Sequence, residues 1–364
     1  MELVSVMNIL EYNHYIICSI GAIANSTLIL LIITRTPKKL RSYSMLILSM
    51  SLLEMCTLIT SAAVFPRLLP TSHYLIIAVT GPCRFTQSID ICLPVYGAML
   101  HGHSHFGITL GLSFCYREVP VYSCCNSYFS LYIITRESPP VIYSAMTAFL
   151  VYLPTLAICI AFGTGSRLKP AEILNILHVG RPLYEFSDAE LLMGGDLASP
   201  TFLSGIFWVC CPIMGVYILI VNVAYRIHRT LAIHEKSMSV KTRQSHREII
   251  KGLIIQACLP TLYVFAVSSY AIQQFNIYHA LPLEYIPHSV GDITILLSPF
   301  VTLYFVRPYR EYVEMLASSK ELSFASSLLA VSNQKLKENL RFFVFQPFNF
   351  RTISEPVPSS LLSK

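Results

Sequence analysis

Three histidines at every second position, His101, His103 and His105, form the densest run of metal-ligating side chains in the sequence. At 3.6 residues per turn, His101 and His105 share a helix face while His103 points about 160° away, so one ion would meet only two of them. No second cluster with ligand spacing accompanies them, and no His-Glu-x-x-His arrangement is present. We therefore expect interior hydrogen bonding, with no metal and no cofactor. Three carboxylates, Glu54, Asp90 and Asp292, fall inside long apolar runs. A carboxylate at the centre of a membrane helix costs about 2.5–3.5 kcal/mol on insertion scales, so all three should face the inside of a bundle, with Asp90 and Asp292, in the outer parts of their runs, each a counter-ion for a cation or a structural, hydrogen-bonded acid. No nucleophile–base pair or acid–base constellation stands in or beside these runs, so no enzyme is expected.

The elements that would position these groups are seven nearly uncharged stretches, about 15–34, 43–65, 85–114, 141–163, 201–225, 249–272 and 287–306. Each is close to the ~20 residues an α-helix needs to cross a hydrocarbon core of ~30 Å. Charged residues are 13% of the chain and hydrophobic ones 54%, with a mean hydropathy of +0.58, where a soluble domain carries about 25% charge. Backbone groups in lipid must be satisfied within the segment, which makes uncharged runs of this length helices. The expected fold is all-α, a polytopic bundle of seven transmembrane helices.

Charge sets the expected orientation. Of the 26 Lys and Arg, only Arg67, Arg84, Arg167, Lys169 and Arg181 fall in the links on one side; the rest lie in the links and tail of the other. The positive-inside rule then puts residues 1–14 outside as a short N-terminus and 307–364 in the cytoplasm as a tail, with a short amphipathic helix over 308–317. Val119 to Thr135 is uncharged, but it is short and rich in Ser and Cys, and crossing there would move most basic residues outside; we read it as a link. The net charge of +6 is a topology signal and gives no case for nucleic acid, since the basic groups lie in separate links where anionic lipid can meet them. Most of the eleven cysteines sit in or at the ends of spans; Cys83 is on the outer side with no obvious partner, Cys210 or Cys211 being a weak candidate. Asp90, Tyr96, His101 and Asp292 make up the candidate small-molecule pocket, and the 21 Tyr and 20 Phe suit such a pocket and helix packing equally.

Four motifs, in order, carry a family resemblance. They are Pro37-Lys38-Lys39-Leu40-Arg41-Ser42-Tyr43-Ser44 before the second span, Gly81-Pro82-Cys83-Arg84 before the third and Tyr116-Arg117 at its end. The last is Leu297-Ser298-Pro299-Phe300 continuing through Tyr304-Phe305-Val306-Arg307-Pro308-Tyr309-Arg310. Over roughly Tyr15 to Leu316 the chain resembles the seven-transmembrane serpentine chemoreceptors of nematodes, and within them serpentine receptor class delta. The resemblance implies a receptor for environmental chemicals in the plasma membrane of sensory cilia, signalling through a heterotrimeric G protein. It places Tyr116, Arg117, Pro308, Tyr309 and Arg310 at the coupling surface, to which the basic link after the fifth span adds Arg226, Arg229, Arg243 and Arg247 for an acidic partner or anionic lipid; Pro212, Pro260 and Pro299 each remove a backbone N–H from their helices and mark kinks at which those helices could swing. The outer-link cysteine that such a receptor would pair with Cys83 is missing, and Tyr116-Arg117-Glu118 departs from the acidic-Arg-aromatic order of rhodopsin-like receptors. The alternatives are a seven-helix ligand-gated channel, which needs a polar pore-lining stripe that no span shows, and a transporter, which would be expected to show repeats between halves that are not found.

Overall fold

The computed structural model describes residues 2–37, 41–71, 73–125, 141–164, 168–180, 191–234 and 240–318. The expected tail beyond 318, the link over 126–140 and Lys38 and Lys39 lie outside the described residues. Among the described residues are seven long helices, α1 (Glu2–Arg35), α2 (Arg41–Val64), α3 (Ile89–Cys125), α4 (Val141–Thr164), α6 (Pro200–His234), α7 (Val240–Gln274) and α8 (Leu281–Phe305), with a short α5 (Pro170–Gly180) in the link between α4 and α6. A further helix, α9 (Arg307–Ser318), occupies the region where 308–317 was expected. Residues Met1–Arg310 form one compact unit and Glu311–Lys364 another.

Consecutive long helices pack as neighbours, and α8 closes back on α1. The innermost helix, α3, touches α2, α4, α6 and α8. That position accounts for its polarity: His101, His103, Ser104, His105 and Thr109 are all buried, because a helix wrapped by protein needs no apolar coat. Among the described residues, five helices (α1, α2, α4, α6 and α8) are long and apolar enough to cross a membrane. Their outward faces carry large exposed apolar side chains such as Ile16, Ile23, Phe149, Leu150, Phe207 and Ile218, the arrangement expected where lipid is the solvent. Where α2 meets α3 the Thr57 side chain packs directly on Gly102, where a Cβ would overlap it, the small-residue contact that membrane helices use.

The helical class is joined by a feature the sequence did not suggest. A three-stranded antiparallel sheet, β1 (Pro66–Thr71), β2 (Tyr74–Val79) and β3 (Leu191–Asp196), sits at one end of the bundle. The tight register from Pro66↔Val79 to Thr71↔Tyr74 makes β1–β2 a hairpin, and Tyr74↔Asp196 to Val79↔Leu191 adds β3. One face of the sheet (Leu68, Leu75, Ile77, Val79) packs on Tyr96 and Met99 of α3, Phe162 of α4 and Phe202 of α6. The other (Leu69, Ile76, Ala78) is covered by Ile173 and Leu177 of α5, an i, i+4 pair on one helix face. Helix α5 starts with Pro170 at its first position, and Glu172 accepts a hydrogen bond from the Lys169 backbone N–H at 3.1 Å, half of a capping box.

Phe65 ends α2 with φ 36°, a conformation bulky residues rarely adopt. It is held there by stacking between His14, with ring centroids 4.4 Å apart, and Tyr285 at 5.1 Å. The reversal it creates delivers the chain directly into β1.

The sequence left Cys83 without a clear partner. It forms a disulfide with Cys92, nine residues on, joining the 3-10 turn Pro82–Thr86 to the first turn of α3. The third apolar run does not become helix until Ile89, so Cys92 lies at the helix start and not deep in a span; Cys210 and Cys211 remain free thiols. A loop of this length restricts the unfolded chain by roughly 2–3 kcal/mol. Cys83→Ser and Cys92→Ser should each lower stability by about that amount in a detergent melting curve, and the double variant should cost no more than either single one; additive losses would disprove the pairing.

Candidate functional site

Below the hairpin lies a cavity of about 70 Å³. Its roof is Leu68 and Leu75 from the sheet, and its walls are set by helical spacing. Tyr96, Leu100 and His103 of α3 and Tyr263, Ala266, Val267 and Tyr270 of α7 line it at intervals of three, four and seven residues, with Phe162 of α4, Ile206 of α6 and His288 of α8 completing the ring. The lining is apolar and aromatic with a few polar tips. The Tyr96 hydroxyl and His288 Nε2 are 3.3 Å apart, and the Tyr270 hydroxyl donates to Gln274 Oε1 at 2.9 Å. Lining of this kind suits a small, chiefly hydrophobic molecule with one or two hydrogen-bonding groups, while the space itself is well below the ~300–1,000 Å³ of ordinary ligand pockets and would have to widen to admit one.

Helix α8 supplies an interior stripe of polar side chains, each matched by another element. Glu284 accepts from Arg67 Nε of β1 at 2.6 Å, both side chains being buried. His288 meets Tyr96 one turn further on. Asp292 Oδ2 accepts from the Ser61 hydroxyl of α2 at 2.7 Å, and its two oxygens lie 3.4 Å from His14 Nδ1 of α1 and His103 Nε2 of α3. Ser298 donates to Glu54 Oε1 of α2 at 2.6 Å. The expectation that no span carries a polar stripe is thus corrected. The stripe exists, buried and engaged with neighbouring elements.

The four residues expected to form the pocket are not brought together. Tyr96 lines the cavity, and Asp292 is buried beside it without lining it. His101 and His105 share a face as expected, with ring centroids 5.6 Å apart. They pack on Tyr152 of α4, away from the cavity, and His105 Nδ1 is 3.3 Å from the Thr155 hydroxyl. Asp90 is exposed in the first turn of α3, contrary to the expectation that it faces inward. The span was drawn to begin at 85, whereas a carboxylate in the first turn is favoured by the helix dipole and by solvent. Glu54 and Asp292 are interior, at 1% and 0% exposure. Residues that the sequence did not single out include Tyr263, Tyr270, His288 and Glu284. The regular interval Glu284, His288, Asp292 was a readable signal, hidden because the seventh run was taken to start at 287.

At the opposite end of the bundle, Arg226 and Arg229 are exposed near the end of α6. Tyr309 is directed inward. It is fully buried, with its hydroxyl 2.9 Å from both Thr36 Oγ1 and Ser44 Oγ, where it ties the ends of α1 and α2 together. Pro308 is half-buried, as is Arg310, whose guanidinium lies 6.0 Å from the Tyr304 ring centroid. Tyr116 and Arg117 fall in α3, and Arg243 and Arg247 in α7, with side chains outside the described residues. Pro260 and Pro299 are buried within α7 and α8. Pro212 falls within α6, its side chain outside the described residues. Pro154 in α4 and Pro287 in α8 are further interior prolines.

A membrane-spanning helical bundle of this connectivity has the fold of a G-protein-coupled receptor. The crystal structure of squid rhodopsin superimposes with a TM-score of 0.53 over 89% of this chain and 91% of that one, at 13% identity. The family model described as serpentine type 7TM GPCR chemoreceptor Srd matches residues 10–315, and the chain belongs to that family. From Caenorhabditis elegans, serpentine receptor class delta-3 is 28% identical over 305 residues, covering 81% of this chain and 84% of the relative. Class delta-18 is 29% identical over 308 residues, covering 84% and 87%, and class delta-1 is 28% identical over 336 residues, covering 89% and 86%. The chain is accordingly a membrane protein of chemoreceptor type, from a family of signalling receptors and not of enzymes.

Proposed function

We propose that this chain is a chemosensory receptor that binds an odorant or pheromone-like small molecule in the cavity under the hairpin and activates a heterotrimeric G protein from the opposite end. The cavity carries this reading: an aromatic and aliphatic space with the Tyr96–His288 pair at its edge, roofed by Leu68 and Leu75. The chain crosses the plasma membrane of a sensory cilium seven times. The spans fall within the seven long helices, with the N-terminus outside and the tail from 307 in the cytoplasm. The Cys83–Cys92 disulfide supports that orientation, because disulfides persist on the oxidising side of the membrane. Exposed Arg226 and Arg229, with Tyr116, Arg117, Arg243, Arg247 and Arg310, form the basic surface offered to the G protein and to anionic lipid. Pro212, Pro260 and Pro299 are the hinges, each removing a helical hydrogen bond.

The test is calcium imaging of cells expressing the chain, challenged with an odorant and metabolite panel with and without a G-protein inhibitor. Responses should vanish with the inhibitor and with Arg117→Ala. Tyr96→Phe should raise the half-maximal concentration roughly tenfold for ligands with a hydrogen-bonding group, equivalent to about 1.4 kcal/mol. Responses that survive the inhibitor would point to a channel instead.

A further inference from the structure

Between the cavity and the Glu54 pair, four side chains with metal-ligating atoms converge from three helices: His14 and Cys18 of α1, His103 of α3 and Asp292 of α8. All are buried, at 2%, 5%, 3% and 0% exposure, and ligand atoms of His14, Cys18 and Asp292 lie within 4.8 Å of one another. We propose that they form a binding site for a divalent transition-metal ion of the zinc type, a site distinct from the small-molecule cavity.

The first argument concerns protons. His14 Nε2 lies 3.2 Å from the Ser61 carbonyl oxygen, which can only accept, so Nε2 carries the hydrogen. A neutral His14 then turns the lone pair of Nδ1 toward Asp292 Oδ2 at 3.4 Å, placing two acceptors face to face in a buried space. His14 Nδ1, His103 Nε2 and Asp292 Oδ1 make no well-formed hydrogen bond, their only approaches to one another being the two 3.4 Å imidazole–carboxylate separations, which buried polar atoms rarely settle for. A cation among them satisfies all three at once.

The second argument is distance. Ligands about 2.0–2.1 Å from a tetrahedral zinc ion are about 3.3 Å from one another. Both imidazole–carboxylate separations are 3.4 Å, long for an N–H···O bond but close to the edge of that tetrahedron. Asp292 presents a different oxygen to each imidazole, so it would either chelate the ion or turn slightly to offer one oxygen. Cys18 Sγ lies within 4.8 Å of the ligand atoms of His14 and Asp292, within reach as the fourth donor.

The third argument is the surrounding support. Ser61 holds both partners, its hydroxyl donating to Asp292 at 2.7 Å and its carbonyl accepting from His14. This is the outer-shell pattern that orients metal-bound histidine and carboxylate. Gly291 leaves room for the His103 ring, which a Cβ there would approach to 2.8 Å. Two imidazoles, a carboxylate and a thiol suit zinc; calcium and magnesium demand six or more oxygens. His103 also lines the cavity, so occupancy would clamp α1, α3 and α8 together at the cavity floor.

The test uses the purified full-length chain in lipid nanodiscs, stripped with a chelator and titrated with Co²⁺ and then Zn²⁺. One Co²⁺ per chain should bind with the intense visible absorption of a four-coordinate site, and Zn²⁺ should displace it. His103→Gln and Asp292→Asn should each weaken binding at least about tenfold, while His101→Gln on the same helix should leave it unchanged. Cys18→Ser keeps the core intact and should remove the sulfur-to-cobalt charge-transfer band, so it serves if the other variants do not fold. Absence of stoichiometric binding to the native chain would overturn the proposal. So would an affinity that His103→Gln leaves intact, or a cobalt spectrum unchanged by Cys18→Ser and by Asp292→Asn.

Discussion

Arg67→Ala and Glu284→Ala should each destabilise the receptor by about 3–5 kcal/mol, the cost of leaving one member of a buried ion pair without its partner. The pair joins β1 to the first turn of α8 at 2.6 Å, with side chains 5% and 0% exposed, so its loss should loosen the hairpin before the helices. Melting of the purified chain in detergent measures the total loss, and limited proteolysis at the hairpin locates it. The pair is expensive to break but need not be ionic to be stable. Arg67→Met with Glu284→Leu, an apolar replacement of both partners, should recover most of the stability. Single variants within about 1 kcal/mol of the native chain, or a double variant as damaged as the sum of the singles, would show that the pair does not brace the cap.

Ala266→Leu should abolish responses to ligands while leaving surface expression intact. Ala266 is 2% exposed and faces the cavity from α7 between Tyr263 and Tyr270. Its added carbons would occupy much of a space of about 70 Å³, and filling a void with apolar atoms does not by itself destabilise a fold. We expect the half-maximal concentration to rise at least about a hundredfold, more than about 2.7 kcal/mol. Leu203→Ala on the exposed face of α6 is the control and should respond as the native chain does. A normal dose–response from an expressed Ala266→Leu receptor would remove the cavity from the binding site.

Several residues show how far the sequence reached. His101 and His105 were placed on one helix face and His103 on another by spacing alone, because the helical period is fixed by backbone hydrogen bonding whatever surrounds it. Glu54 and Asp292 were assigned to the interior because lipid excludes a lone carboxylate. Asp90 was misjudged for a related reason: an apolar run does not mark where its helix begins, and here the disulfide and a 3-10 turn hold the chain outside the helix until Ile89. The hairpin was hidden because Pro66–Thr71 and Tyr74–Val79 alternate no more clearly than any buried strand covered on both faces.

What the sequence determined by itself was the class: long uncharged runs form membrane helices, and these are properties of local composition that need no partner. What only the tertiary structure decided was which of those helices' side chains meet. Arg67 with Glu284, Tyr96 with His288 and His103 with Asp292 are 217, 192 and 189 residues apart in sequence. No local pattern encodes such pairings; they arise because α8 packs between α1 and α7 under the sheet, and burial obliges each polar group along it to find its partner on another element.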